Sequence, residues 1–172
     1  MLLQSTLSLA LISFCGVVTA VPTPLDAIQM GSKHNIYLAT CTRRAGLGEC
    51  PLLIFCPDEA AVSYSAIAYF ANGPIASSGL ATPSQIATVS EPPQPWEGVQ
   101  RGAKLGRTSS VTASIDAGAK ALAKGEIAGT AKMDAEDFVC FKDGTTFFEV
   151  RNELGGRQYS CTTEYWCPSI QV

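Results

Sequence analysis

Along most of this chain apolar and polar residues alternate with a period of two, the rhythm of strands with one face in a core. From Asn35 to Thr42, Ile36, Leu38 and the β-branched Thr40 fall on one side and Tyr37, Ala39 and Cys41 on the other. Both rows are largely apolar, which predicts a strand buried on both faces. Pro51 to Cys56 is a continuous apolar run too short for a helix and predicts a buried strand stopped by Pro57 and Asp58. Ala61 to Phe70 places Val62, Tyr64, Ala66 and Ala68 on one side and runs into Asn72-Gly73, a strong turn signal.

Pro, Ser, Gly and Thr accumulate between Gly73 and Pro95, so this stretch reads as the longest exposed loop, ending in a polyproline-like segment from Glu91 to Pro95. Trp96 to Leu105 and Ser110 to Ile115 predict a hairpin around Gly106 to Ser109. Asp116 to Gly125 keeps an alanine every second residue, yet Asp116 as N-cap and Gly125 past the end favour a helical turn. Asp137 to Lys142, the Asp143-Gly144 turn, Thr145 to Arg151 and Gln158 to Thr163 predict a three-stranded antiparallel meander. No repeat recurs at a fixed period. The expected fold is mostly β: a single antiparallel sandwich or barrel-like domain with at most one short helix, stabilised by disulfides.

An uncharged run from Leu7 to Val18 ends in the small-residue pattern Val18-Thr19-Ala20, which predicts a signal peptide over residues 1–20 and a single secreted β-rich domain over 21–172. Of seven cysteines, Cys15 leaves with the leader. Cys41, Cys50, Cys56, Cys140, Cys161 and Cys167 form an even set for an oxidising compartment, so three disulfides are expected. Spacing does not choose among their pairings, but one bridge should join the early trio to the late one. No second apolar stretch is long enough to span a membrane, so a soluble product without membrane contact is expected.

Only 16% of the residues are charged, and their signs are unevenly distributed. Val21 to Glu97 holds three basic and six acidic residues, Gly98 to Met133 six and two, and Asp134 to the end three and seven. The basic middle could meet an anionic glycan, lipid headgroup or acidic partner, but charge matching between neighbouring strands is the preferred reading. It is too weak for a nucleic-acid footprint. A monomer that binds neither nucleic acid nor a cofactor is expected.

Catalytic signatures are sparse. The one histidine, His34, excludes chemistry with two imidazoles, lacks a Gly-x-Ser-x-Gly partner, and reads as a solvated side chain. No metal-ligand set is present, and Cys161 and Cys167 lie too far apart for a redox motif. The enzymatic option is a pair of carboxylates drawn from Glu97, Asp116, Glu149 and Glu164, although such groups are more often paired with Arg101, Lys104 or Arg151 on strand faces. Trp96 is assigned to the core. Tyr165 and Trp166, between Cys161 and Cys167, read as an exposed constrained loop. With Arg101, Lys104 and the loop prolines Pro92 and Pro93, they form the candidate binding surface.

The leader, the even cysteine set and the segments WEGVQRG (96–102), EDFVCFKDGTTFFEVR (136–151) and YSCTTEYWC (159–167) together give a chain that resembles the small secreted cysteine-containing proteins of filamentous fungi, many of them effectors. The resemblance implies an extracellular, usually non-enzymatic protein that contacts a host protein, a glycan or the cell wall, and it transfers no functional residue. A small glycan-acting hydrolase and a protease inhibitor are the alternatives.

Overall fold

The computed structural model describes residues 31–43, 61–76, 79–151 and 157–171. The expected leader, the Pro51 to Cys56 strand, Cys15, Cys50 and Cys56, and with them the third bridge, lie outside the described residues. Ten strands run in chain order: β1 (Asn35–Arg43), β2 (Val62–Phe70), β3 (Gly79–Leu80), β4 (Gln85–Ser90), β5 (Gln100–Leu105), β6 (Ser109–Ile115), β7 (Ile127–Met133), β8 (Glu136–Lys142), β9 (Phe147–Arg151) and β10 (Arg157–Pro168). They form one sheet in the order β4-β2-β1-β10-β8-β7-β6-β5, with antiparallel neighbours throughout. The sheet curls until its end strands β4 and β5 meet, giving a nearly closed barrel. The period-two pattern thus does specify a mostly antiparallel β domain.

Alternation assigns side chains to two cores. Ile36, Leu38, Ile67, Trp96, Leu105, Val111, Ile115, Phe138 and Tyr165 fill the barrel. The opposite face of β1, β2 and β10 presents Tyr37, Ala39, Cys41, Ala66, Ala68 and Trp166 to a second core, covered by Ile75 and Phe148. This is why both rows of β1 are apolar. On β6, by contrast, Val111, Ala113 and Ile115 are buried while Thr112 and Ser114 are exposed. One disulfide ties each core: Cys41–Cys161 joins opposed residues of β1 and β10 in the outer core, and Cys140–Cys167 joins β8 to β10 inside the barrel. The first links the early cysteine trio to the late one, as expected. Two disulfides fit an oxidising environment, and among the described residues no helix is long and apolar enough to cross a membrane.

Three local expectations are corrected. The stretch from Gly73 to Pro95 contains β4, whose Ile86, Ala87 and Thr88 pair with β2; the flanking Pro and Ser residues hide a strand whose stability comes from its partner. Residues 116–125 carry only a 3-10 turn at Ala119–Ala121, and its N-cap is Gly118, without a side-chain cap bond. Asp116 contributes its backbone carbonyl to Ala119 N–H at 3.0 Å instead.

The third correction concerns Asp143-Gly144, which does not turn a hairpin. β8 pairs with β10 at Tyr165 and Trp166, and β9 pairs with β10 from Arg157 to Thr162, both antiparallel. The two strands therefore run in the same direction, one after the other, along one edge of β10. Asp143 Oδ1 accepts from Thr145 N–H, Thr145 Oγ1 and Thr146 N–H at 3.1–3.2 Å, absorbing the extra residues as a break in a continuing strand.

Candidate functional site at one end of the barrel

β1, β6 and β8 run toward one end of the barrel and β5 and β7 run away from it, so the segments 91–99 and 116–126 gather there as a rim. Trp96 plugs the barrel, and Gly98 N–H bonds Ile115 C=O at 2.9 Å in a left-handed conformation that favours glycine. Between them, Glu97 is held at the lip. From inside the barrel Tyr165 donates its hydroxyl to Glu97 Oε1 at 2.5 Å, and Lys142 Nζ lies 4.5 Å over the Tyr165 ring. The register of β1 against β10 shifts between Leu38 and Ala39, leaving Glu164 as an extra residue. Glu164 then accepts the Thr40 hydroxyl at 2.7 Å beside Tyr165.

Electrostatics divides the roles. Partial burial pushes the Glu97 carboxyl up, but the Tyr165 hydroxyl, its own backbone N–H and the ammonium groups of Lys142 and Lys120 outweigh this and hold it below its usual range. Burial first, then the bond to Glu97 and the charges of Glu97 and Glu164, raise the Tyr165 phenol well above its ordinary value. The pair is therefore an ionised acceptor held by a neutral donor.

Of the four carboxylates singled out from sequence, the fold brings Glu97 and Glu164 together around Tyr165. Asp116 is exposed and Glu149 is buried on β9. The exposed-loop expectation for Tyr165 and Trp166 is overturned: both lie in β10 at 0% exposure, Tyr165 in the barrel and Trp166 in the outer core. Trp166 Nε1 donates to Asn35 Oδ1 at 2.9 Å, and its ring stacks on Phe141. Cys161 and Cys167 bond to the strands on either side, so the residues between them are drawn into the sheet. The remaining binding candidates do not share one face. Arg101 follows the inward row of Ala103 and Leu105 and donates Nε–H to Pro95 C=O at 2.6 Å, whereas Lys104 is exposed on the opposite row. Pro92 is exposed and Pro93 half-buried on the rim.

The basic middle of the chain is matched in part by acidic side chains. Lys132 pairs with Asp137 at 3.3 Å, Lys124 with Asp143 at 3.6 Å, and Lys120 acts on Glu97. His34 keeps 41% of its side chain exposed, as expected of a solvated residue, and in addition its Nδ1 lies 2.9 Å from both Glu136 oxygens, with Ser169 Oγ donating to the same carboxylate. This cluster lies at the other end of the barrel. No local signal marks it, since Glu136 is 102 residues away. Among the described residues no group of three potential ligands could hold a metal ion. No family model matches the chain, and no curated protein or solved structure is found similar to it.

Proposed function

We propose that this chain works outside the cell as a disulfide-braced, non-enzymatic binding protein, effector-like and of fungal type, that contacts a host protein, a glycan or the cell wall through the rim at the Trp96 end of its barrel. The observation that carries the reading is a barrel filled with side chains and cross-linked in both cores at its central strands. Such a scaffold survives proteases and leaves contact to its rims. The rim offers an ionised Glu97, half-buried Lys142, exposed Lys120 and Pro92, and the apolar Val99 at 47% exposure. Mixed charge beside apolar surface suits recognition by complementarity.

A glycan hydrolase is the second reading, favoured by Glu97 and Glu164 flanking one phenol. Glycoside hydrolysis requires a carboxylic acid that keeps its proton at working pH beside an ionised carboxylate, and Glu97, held below its usual range, suits the ionised role and not the acid. For the protease-inhibitor variant, the Glu91 to Pro95 segment is anchored by Arg101 at Pro95 and by Ser65 at Gln94.

The test is retention of the full chain, secreted from a eukaryotic host, on purified cell-wall polysaccharides and on plasma-membrane protein arrays. Lys120→Glu and Val99→Asp should each lower retention at least tenfold, while Thr112→Ala on the far side of β6 should leave it unchanged. Equal retention by all variants, turnover of a glycan that Glu97→Gln abolishes, or two or more reactive thiols in the denatured secreted chain would overturn the reading.

A further inference from the structure

β1, β10 and β8 lie side by side, and on their outward face Tyr37, Thr163 and Asp143 converge. Tyr37 opposes Trp166 and Ala39 opposes Thr163, so Thr163 is a diagonal neighbour of Tyr37. Asp143 N–H bonds Glu164 C=O at 3.0 Å and Gly144 N–H bonds Thr163 C=O at 2.9 Å, which sets Asp143 beside Thr163. Tyr37 and Thr163 are wholly buried, and the Asp143 side chain is 0% exposed. The segment between β2 and β4 roofs the group, with Ile75 N–H donating to Tyr37 Oη at 2.9 Å.

Hydrogen-bonding capacity here is incompletely spent. Asp143 Oδ1 serves three donors of residues 145 and 146 and faces Lys124 Nζ at 3.6 Å. Asp143 Oδ2 and Thr163 Oγ1 have no hydrogen-bond partner among the described residues. Tyr37 Oη accepts from Ile75, and its own proton reaches no acceptor among the described residues. A carboxylate oxygen and two hydroxyls with capacity left over, sealed in an apolar core, are costly unless something polar sits between them.

We propose that Asp143, Thr163 and Tyr37 enclose a binding site for one structural water. Its oxygen accepts the Tyr37 proton, one hydrogen goes to Asp143 Oδ2, and the Thr163 hydroxyl takes the third position. Three partners are the usual complement of a buried water. The chemistry selects water over a cation: the Lys124 ammonium and three N–H or O–H donors already face the carboxylate and offset its charge. Burial and the nearby Asp143 charge outweigh the Ile75 bond and hold the Tyr37 phenol well above its ordinary value, so it remains a donor. The water links the roof, through Tyr37, to the break between β8 and β9. It lies apart from the rim and does not rest on the binding reading.

Water–protein cross-relaxation by NMR on the full native chain tests the site. A long-lived water should give cross-peaks of the sign of slow tumbling to the Thr163 methyl and the Tyr37 ring. Thr163→Val, which keeps shape and loses the hydroxyl, should abolish the cross-peak to the Tyr37 ring and lower Tm by roughly 3–6 °C, with Thr163→Ser restoring that cross-peak and the Tm. A high-resolution crystal structure should place a single density peak within about 3.2 Å of the three oxygens. Missing cross-peaks in the native chain, a peak that binds thallium in place of potassium, or a direct Tyr37–Asp143 bond would each overturn the proposal.

Discussion

Tyr165→Phe removes the hydroxyl that donates to Glu97 at 2.5 Å and leaves the ring in the barrel core. Its loss should cost about 1–2 kcal/mol at neutral pH, since a hydrogen bond to a charged acceptor disappears. Glu97 should titrate at higher pH in the variant, as read by carboxyl carbon shifts. Because the folded state depresses the Glu97 pKa, its stabilising contribution is present above the ordinary value of 4.5 and is lost as pH falls through the folded value. Stabilities of variant and wild type should therefore converge on acidification. Residue identity alone made Glu97 and Glu164 visible as carboxylates, but four were equally eligible. The register shift in β10 and the Trp96 plug selected two.

At the scale of elements, Gly129 shows how close backbone approach dictates sequence. Its φ is +151°, and a Cβ there would sit 2.3 Å from Ser114 O on β6. Gly129→Ala should cost roughly 2–4 kcal/mol in urea unfolding. Gly118→Ala, with open space around it, should stay within about 0.5 kcal/mol of wild type. Strand existence was legible wherever one face repeats apolar residues, as on β6. Strand pairing was less so: Asp-Gly between apolar runs is a hairpin signal, yet β9 carries on along β10 past β8 because that edge is still unpaired there. β4 was hidden for a related reason, its stability residing in β2.

At the scale of the whole molecule, the two disulfides among the described residues close loops of different length. Cys41 and Cys161 are 120 residues apart and Cys140 and Cys167 only 27. Chain entropy gives about 5 and about 3.5 kcal/mol respectively, so the serine pair replacing the first bridge should lower the denaturation midpoint more than the pair replacing the second. Alkaline unfolding should report the packing as well. All five tyrosines of the chain are raised above 10.0, chiefly by burial, with Tyr159 pushed up to about 12. A phenol whose folded pKa is raised stabilises the fold below its unfolded value, and this contribution is lost as pH rises toward the folded value. Absorbance at 295 nm should hence rise at higher pH in the folded chain than in the urea-unfolded chain, with its largest step accompanying loss of the near-UV dichroism of the fold.

Fold class, the burial of β1 on both sides and the place of Trp96 in the core were legible in the residues alone, because these depend on side-chain periodicity and apolar content along one stretch of chain. It took the folded arrangement to establish which cysteines meet among the described residues, that Tyr165 and Trp166 face two cores, and that Glu97, Glu164 and Lys142 converge on one ring. Those outcomes depend on strand order and register, set by pairing energies between distant segments, 131 residues apart in the Trp166–Asn35 bond, and invisible to any local window.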